Sequence, residues 1–369
     1  MTAPGGAPAA SGTDAASRRL APRDDVALMD GYHSPQVDVA VRLNTNEAPE
    51  PPPAAFVEAV TRAVGDIEWH RYPDRAASGL RRRLADLHGV RPEQVFVANG
   101  SNEVLQVLLL TYGGPGRTAA VFEPTYALHS HIARLTGTAV ATGERDADHA
   151  VDPAEVERVL AEARPEVTFL CSPNNPTGGV ESAASVSATL GLAPGLVVVD
   201  EAYSQFAPWS AMDLVDEDVP LVVTRTFSKT WSMAAARLGY LVGPSWVVAE
   251  LDKVVLPYHL DAFKQIAGTL ALDHVDEMER RASHLVEERG RIEAGLGELP
   301  CRVWPSQANF VLFRPESVAG ADVWRALLDR GVLVRDCSSW PRLDGCLRVT
   351  VGTPAENDRF LAALTEVLA

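Results

Sequence analysis

The sequence predicts an α/β fold, a parallel sheet covered by helices on both faces with a smaller α/β unit after it. Two observations carry this. Between about residues 95 and 242, short apolar runs alternate with helical patterns, as buried parallel strands and their crossover helices do. Beyond about Pro257 the texture changes to one long charged helical pattern, followed by three strands interleaved with two helices. A third observation concerns chemistry. The runs Val167–Cys171, Leu196–Val199 and Val219–Val223 end in Ser172-Pro173-Asn174-Asn175-Pro176-Thr177-Gly178-Gly179, Asp200-Glu201-Ala202-Tyr203 and Thr224-Arg225-Thr226-Phe227-Ser228-Lys229.

The elements follow in order. The first twenty or so residues are rich in Ala, Gly, Pro, Ser and Asp, have no apolar core, and read as a disordered tail over 1–25. Residues 26–53 form an N-terminal segment expected to join the smaller domain, with Leu43-Asn44-Thr45-Asn46-Glu47 leading into a proline-rich, extended stretch. Helices are expected from about Ala54 to Val64 and Ser78 to His88, with a turn at Arg71-Tyr72-Pro73-Asp74 between them. Val95–Ala98 is a strand. The turn Asn99-Gly100-Ser101-Asn102 then opens a helix with Val104, Leu105, Leu108 and Leu109 on one face. Ala119–Phe122 is a strand, and the helix after Pro124 carries Tyr126. Asp152-Pro153-Ala154-Glu155 opens another helix with an acidic cap, a first-turn proline and a glutamate three residues on. After the three chemical strands comes Leu238–Val242. A helical pattern then runs from about Ala262 to Leu296, and strands are expected at Ala308–Phe313, Val332–Arg335 and Leu347–Val351. A large domain over 54–256 and a small one over 257–369 follow from this.

A net charge of −16 disfavours nonspecific nucleic-acid binding and anionic membrane surfaces. The four cysteines are spread out with no C-x-x-C pair, which favours reduced thiols in a cytoplasmic protein over disulfides or a metal site. His129 and His131 are two apart and point to different helix faces, so no zinc pair is expected. Glycine-rich dinucleotide, P-loop and G-x-S-x-G patterns are missing.

Ligands of open α/β sheets sit beyond the carboxyl ends of the strands, where these polar clusters fall. Lys229 can form a Schiff base with an aldehyde cofactor if its pKa is lowered. Pyridoxal phosphate also needs an acid at its ring nitrogen, for which Asp200 is placed. Tyr203 and Asn175 suit the ring's phenolic oxygen. The turn at Gly100, Ser101 and Asn102, with Ser228 and Arg237, suits the phosphate, and Tyr126 suits the ring face. Each residue alone also reads as a surface lysine, a helix cap, a turn or core. Their order at successive strand ends favours the cofactor.

The segments Ser172–Gly178, Asp200–Tyr203 and Thr226–Lys229 resemble the signatures of class I/II, fold type I, pyridoxal phosphate aminotransferases. More narrowly, Val41–Glu47, Arg71–Asp74, Ala98–Glu103, Leu256–Leu260, Ser306–Phe310 and Leu347–Gly352 resemble the histidinol-phosphate aminotransferase family, over nearly everything from Gly31 onward. The resemblance implies a large domain with a mostly parallel seven-stranded sheet between helices, plus a smaller α/β domain. It implies a homodimer with the active site at the interface, Tyr72 reaching the partner's cofactor phosphate. Thr226 joins the cofactor set. Tyr32, Asn46, Tyr258, Arg335 and Arg348 are the implied substrate residues, and no metal is implied. Three departures stand out: Ala48 in Glu47-Ala48-Pro49, the bulky run Thr230–Ala236 after the lysine, and Trp340 in Cys337-Ser338-Ser339-Trp340.

The expected reaction is transamination between histidinol phosphate and 2-oxoglutarate, in histidine biosynthesis. An aromatic amino acid aminotransferase and a threonine-phosphate decarboxylase share the scaffold as alternatives. A non-catalytic ligand-binding protein is disfavoured by the intact Lys229, Asp200 and Tyr203.

Overall fold

A computed structural model describes residues 20–27, 29, 31 and 37–369. The chain divides into two compact units, 1–34 and 35–369. In the first, a short helix, Asp24–Ala27, begins inside the expected tail. This corrects the tail's inner boundary; its first nineteen residues lie outside the described ones. Everything below concerns the second unit.

Twelve strands are described there: β1 (Val41–Leu43), β2 (Val95–Ala98), β3 (Thr118–Glu123), β4 (Ala139–Glu144), β5 (Val167–Cys171), β6 (Leu196–Asp200), β7 (Leu221–Thr226), β8 (Gly239–Val242), β9 (Cys301–Trp304), β10 (Phe310–Pro315), β11 (Val332–Asp336) and β12 (Leu347–Thr350). Seven form one sheet in the order β2-β8-β7-β6-β5-β3-β4. Its strands are parallel except β8, which runs antiparallel to β2 and β7. Strands β2, β5, β6 and β8 are buried along their whole length, which is why they read as unbroken apolar runs. The edge strand β4 is half exposed and reads Ala-Val-Ala-Thr-Gly-Glu, so its apolar signal is weak and it was not anticipated.

One face of this sheet packs on helices Ser101–Tyr112, Ala127–Leu135 and Ser245–Val254 around Phe96, Leu105, Leu108 and Val198. The other packs on two groups of helices, around Leu80, Leu84 and Tyr240 and around Phe122, Leu160 and Val197. The register sets Cys171 level with Asp200, and Asp200 level with Thr224. The ends of β5, β6 and β7 are thus neighbours.

The second sheet has the order β1-β11-β12-β10-β9. Strand β1 pairs in parallel with β11, which places Val41–Leu43 at the edge of this sheet. The edge strand β9 was also unforeseen. The helical pattern from Ala262 is not one helix: a 3-10 turn at Leu272–His274 separates Ala262–Ala271 from Val275–Gly297. At the helix Pro153–Ala163, Asp152 caps Ala154 N–H as expected, but Glu155 accepts from Glu144 N–H and binds Arg158 instead of closing the cap.

Candidate active site

Lys229 lies just beyond β7. Its Nζ donates to the Thr45 carbonyl at 3.1 Å and stands 5.7 Å from the centre of the Tyr203 ring. Burial lowers its pKa from 10.5 to about 7, the Arg348 and Arg237 guanidiniums push the same way, and Glu47 opposes them. Near neutrality much of this amine is free base, the form that attacks an aldehyde. The free-base fraction rises as pH rises through the folded pKa. The apoprotein should therefore capture pyridoxal phosphate at a rate that climbs through about pH 7 and levels off above it. Stopped-flow absorbance would read this, and a midpoint near the ordinary lysine value would overturn it.

Asp200 ends β6 and is 2% exposed. Its Oδ2 lies 2.9 Å from His129 Nε2, and its Oδ1 accepts the Ala202 N–H at 3.3 Å. His129 is fully buried, stacked on Phe169 and edge-on to Tyr126. His131 is half-buried, so the two histidines do take different faces. The His129–Asp200 contact is what sequence reasoning missed. A signal existed: His129 lies in the first turn of the helix that Tyr126 opens, three residues after it. Among the described residues no cluster is placed to hold a metal ion.

Tyr203 is buried, edge-on to Phe310, and its hydroxyl accepts from Asn46 Nδ2 at 3.0 Å. Burial pushes its pKa up to about 12, so it stays a phenol with a proton to donate. Asn46 sits at a φ of 55°, held by three further bonds. Its N–H donates to Thr350 Oγ1, Thr350 Oγ1 donates to its Oδ1, and Asn309 Nδ2 donates to its carbonyl. Thr350, Asn309 and the Thr45 carbonyl were not foreseen as supports.

Arg348, on β12, is 5% exposed. Its Nη1 donates to Asn175 Oδ1 and its Nη2 to the Asn44 carbonyl, while Nε has no partner. Asn175 thereby keeps its amide N–H groups for another acceptor. Arg335 lies opposite Arg348 in the β11–β12 register.

A third group gathers at the helix Ser101–Tyr112. Gly100 has a φ of +82°, and a Cβ there would meet Arg237 Nη2 at 2.9 Å. A Cβ on Gly239 would meet the Ser101 nitrogen at 2.4 Å, so Gly239 is needed for close approach and Gly100 for its positive φ. Arg237 Nη1 donates to Ser228 Oγ at 3.2 Å, and Thr226 Oγ1 donates to the same oxygen at 3.0 Å. Tyr126 O–H donates to Asn102 Oδ1 at 3.0 Å. A cation, hydroxyls and first-turn N–H groups thus meet at a helix start, a set that suits a phosphate.

The remaining expected residues lie elsewhere. Tyr72 is 79% exposed and stacks on Tyr258 with ring centres 4.5 Å apart. Tyr32 lies outside the described residues. Trp231 turns into the core against Phe227, so the bulky run behind the lysine fills space beneath the site.

Seen together, a depressed-pKa amine, a buried carboxylate and a neutral phenol beyond neighbouring strand ends, with a helix start suited to a phosphate, are what an aldehyde-cofactor transferase requires. The sequence pattern described as "Aminotransferase class I and II" matches residues 38–364, and the chain belongs to that family. It is 45% identical to the histidinol-phosphate aminotransferase of Frankia casuarinae over 362 residues, covering 94% of this chain and 90% of that one. The Rhodococcus jostii protein of the same name is 44% identical, covering 94% and 93%. In fold, the chain is similar to the histidinol-phosphate aminotransferase from Sinorhizobium meliloti, solved in complex with pyridoxal-5'-phosphate. Their TM-score is 0.86 at 22% identity, covering 96% of this chain and 99% of that one.

Proposed function

We propose that this chain is a histidinol-phosphate aminotransferase using pyridoxal phosphate. It exchanges the amino group between histidinol phosphate and 2-oxoglutarate, giving imidazole-acetol phosphate and glutamate, in histidine biosynthesis. The observation that carries the substrate reading is the Arg348–Arg335 pair, with a buried, unpartnered Arg348 Nε. A phosphate ester presents more charge and more acceptor oxygens than a carboxylate, and two guanidiniums match it.

When bound, pyridoxal phosphate supplies an aldehyde for the substrate's amine and a protonated ring that draws off an electron pair. Asp200, oriented by His129, would keep a proton on the ring nitrogen. Tyr203 and the Asn175 amide would donate to the ring oxygen. Ser101, Asn102, Thr226, Ser228 and Arg237 would hold the phosphate, and Tyr126 would lie against the ring. Lys229 Nζ takes the proton from the amine-bearing carbon of the substrate and gives it back on the other side of the exchange. Arg348, Arg335 and Asn46, with Tyr258, would hold the substrate.

We also read the chain as a homodimer. Trp69, Tyr72 and Leu256 are 77%, 79% and 76% exposed, a group of large side chains that self-association would cover. In that dimer Tyr72 reaches the partner's cofactor phosphate. The two sheets support a large domain over 54–256 and a small one over 257–369 joined by 26–53. A cytoplasmic location goes with the biosynthetic role; among the described residues no helix is long and apolar enough to cross a membrane.

A side-by-side assay tests the substrate. With 2-oxoglutarate as acceptor, kcat/KM for histidinol phosphate should exceed that for phenylalanine by at least about 100-fold. Phenylalanine winning would point to an aromatic aminotransferase. Carbon dioxide release from threonine phosphate without an acceptor would point to a decarboxylase.

A further inference from the structure

We propose that Trp340 is a specificity-determining residue that sets the preference of the arginine pair for a phosphate ester over a carboxylate. The inference rests on the substrate reading above and deepens it.

Arg335 and Arg348 are directly opposed in an antiparallel register, so both side chains leave the sheet on the same face a few ångströms apart. Two like charges so placed repel each other, and an anion between them relieves the repulsion. Arg348 is fixed from its own side by Asn175, the Asn44 carbonyl and the Phe310 ring, 5.0 Å below its guanidinium. Its Nε is the buried donor left without a partner. Arg335 is half-buried, and its guanidinium carbon stands 5.2 Å from the centre of the Trp340 ring.

Trp340 is itself anchored at both ends. Its indole N–H donates to the Thr125 carbonyl at 3.2 Å, and its ring packs on the cluster of Trp304, Leu312, Cys337, Leu343 and Cys346. Thr125 is the residue before Tyr126, and its hydroxyl donates to Asn174 Oδ1 beside Asn175. Trp340 therefore ties the loop after β11 to the end of β3 and presents a fixed π face to Arg335. A flexible cation gains little from pairing, because its rotamer freedom is lost on binding. Arg335 held on an aromatic face has already lost that freedom and part of its water.

The two substrates need this differently. A carboxylate is satisfied by one planar fork, which Arg348 offers alone. A phosphate monoester carries nearly two negative charges and three terminal oxygens, and needs the second guanidinium in place. Trp340 thus contributes to binding of the phosphate-bearing amine far more than to binding of glutamate.

The test compares the two half-reactions of the holoenzyme in Trp340→Ala and Trp340→Phe. Trp340→Ala should raise KM for histidinol phosphate by about tenfold, with kcat and the KM for glutamate changed by less than about threefold. Trp340→Phe keeps a ring under Arg335 but loses the N–H to Thr125, and should recover most of the affinity. Inorganic phosphate should compete with histidinol phosphate less well in Trp340→Ala by a similar factor. Equal losses for both substrates, or Trp340→Phe as poor as Trp340→Ala, would make Trp340 a tether for Thr125 and overturn the proposal. A wild-type enzyme that ignores histidinol phosphate would instead sink the substrate reading, which the wild-type assay shows before any variant is made.

Discussion

Lys229→Ala is expected to lower kcat/KM by at least about 10⁵-fold, roughly 7 kcal/mol of barrier, because it removes both the covalent anchor and the proton carrier. The cofactor's visible band should also stop responding to added substrate. The fold should survive. The side chain is half-buried, makes its hydrogen bond to a backbone carbonyl at 3.1 Å, and sits where its charge is disfavoured. The melting temperature should stay close to wild type, within about 1 kcal/mol of stability. A variant that is folded and still turns over would remove Lys229 from the chemistry. The same variant tests the dimer. Mixed with Tyr72→Ala chains, half of the randomly assembled dimers are hybrids, and one site in each hybrid carries both Lys229 and Tyr72. About one quarter of all sites should be restored. No recovery on mixing would show that Tyr72 does not cross to the partner.

Asp200→Asn is expected to lower kcat by about 10³-fold while leaving cofactor binding within about tenfold. The amide has nearly the shape of the carboxylate, and the buried contact with His129 survives a change of tautomer. What disappears is the negative charge that keeps a proton on the ring nitrogen. Asp200→Glu keeps the charge but moves it by a methylene in a site 2% exposed, and should recover only part of the rate. A fall of less than tenfold in Asp200→Asn would assign that proton to another group. Single-turnover absorbance resolves the two cases, because the loss belongs to the proton-transfer step.

The strands that carry these residues were legible because burial on both faces leaves a continuous apolar run. Val197, Val198 and Val199 before Asp200 are fully buried, and so are Leu221, Val222 and Val223 ahead of Lys229. Strands β4 and β9, at the sheet edges, have no such signature: half of β4 is exposed, and only Trp304 of β9 is fully buried. The break at Leu272–His274 was invisible for a related reason: the residues around it keep the helical apolar spacing, and only packing decides where the axis changes.

By itself, then, the sequence determined which chemical groups stand at the ends of β5, β6 and β7, because local pattern and turn residues act over a few positions. The tertiary structure decided their states and partners. The bonds from Asn46 to Thr350 and from Asn44 to Arg348 span 304 residues, and His129 meets Asp200 across 71. The amine of Lys229 reaches a pKa of about 7 only once burial removes its water and Arg348, from the other sheet, is brought close. Desolvation and charge proximity are sums over the folded neighbourhood, so no window of sequence contains them.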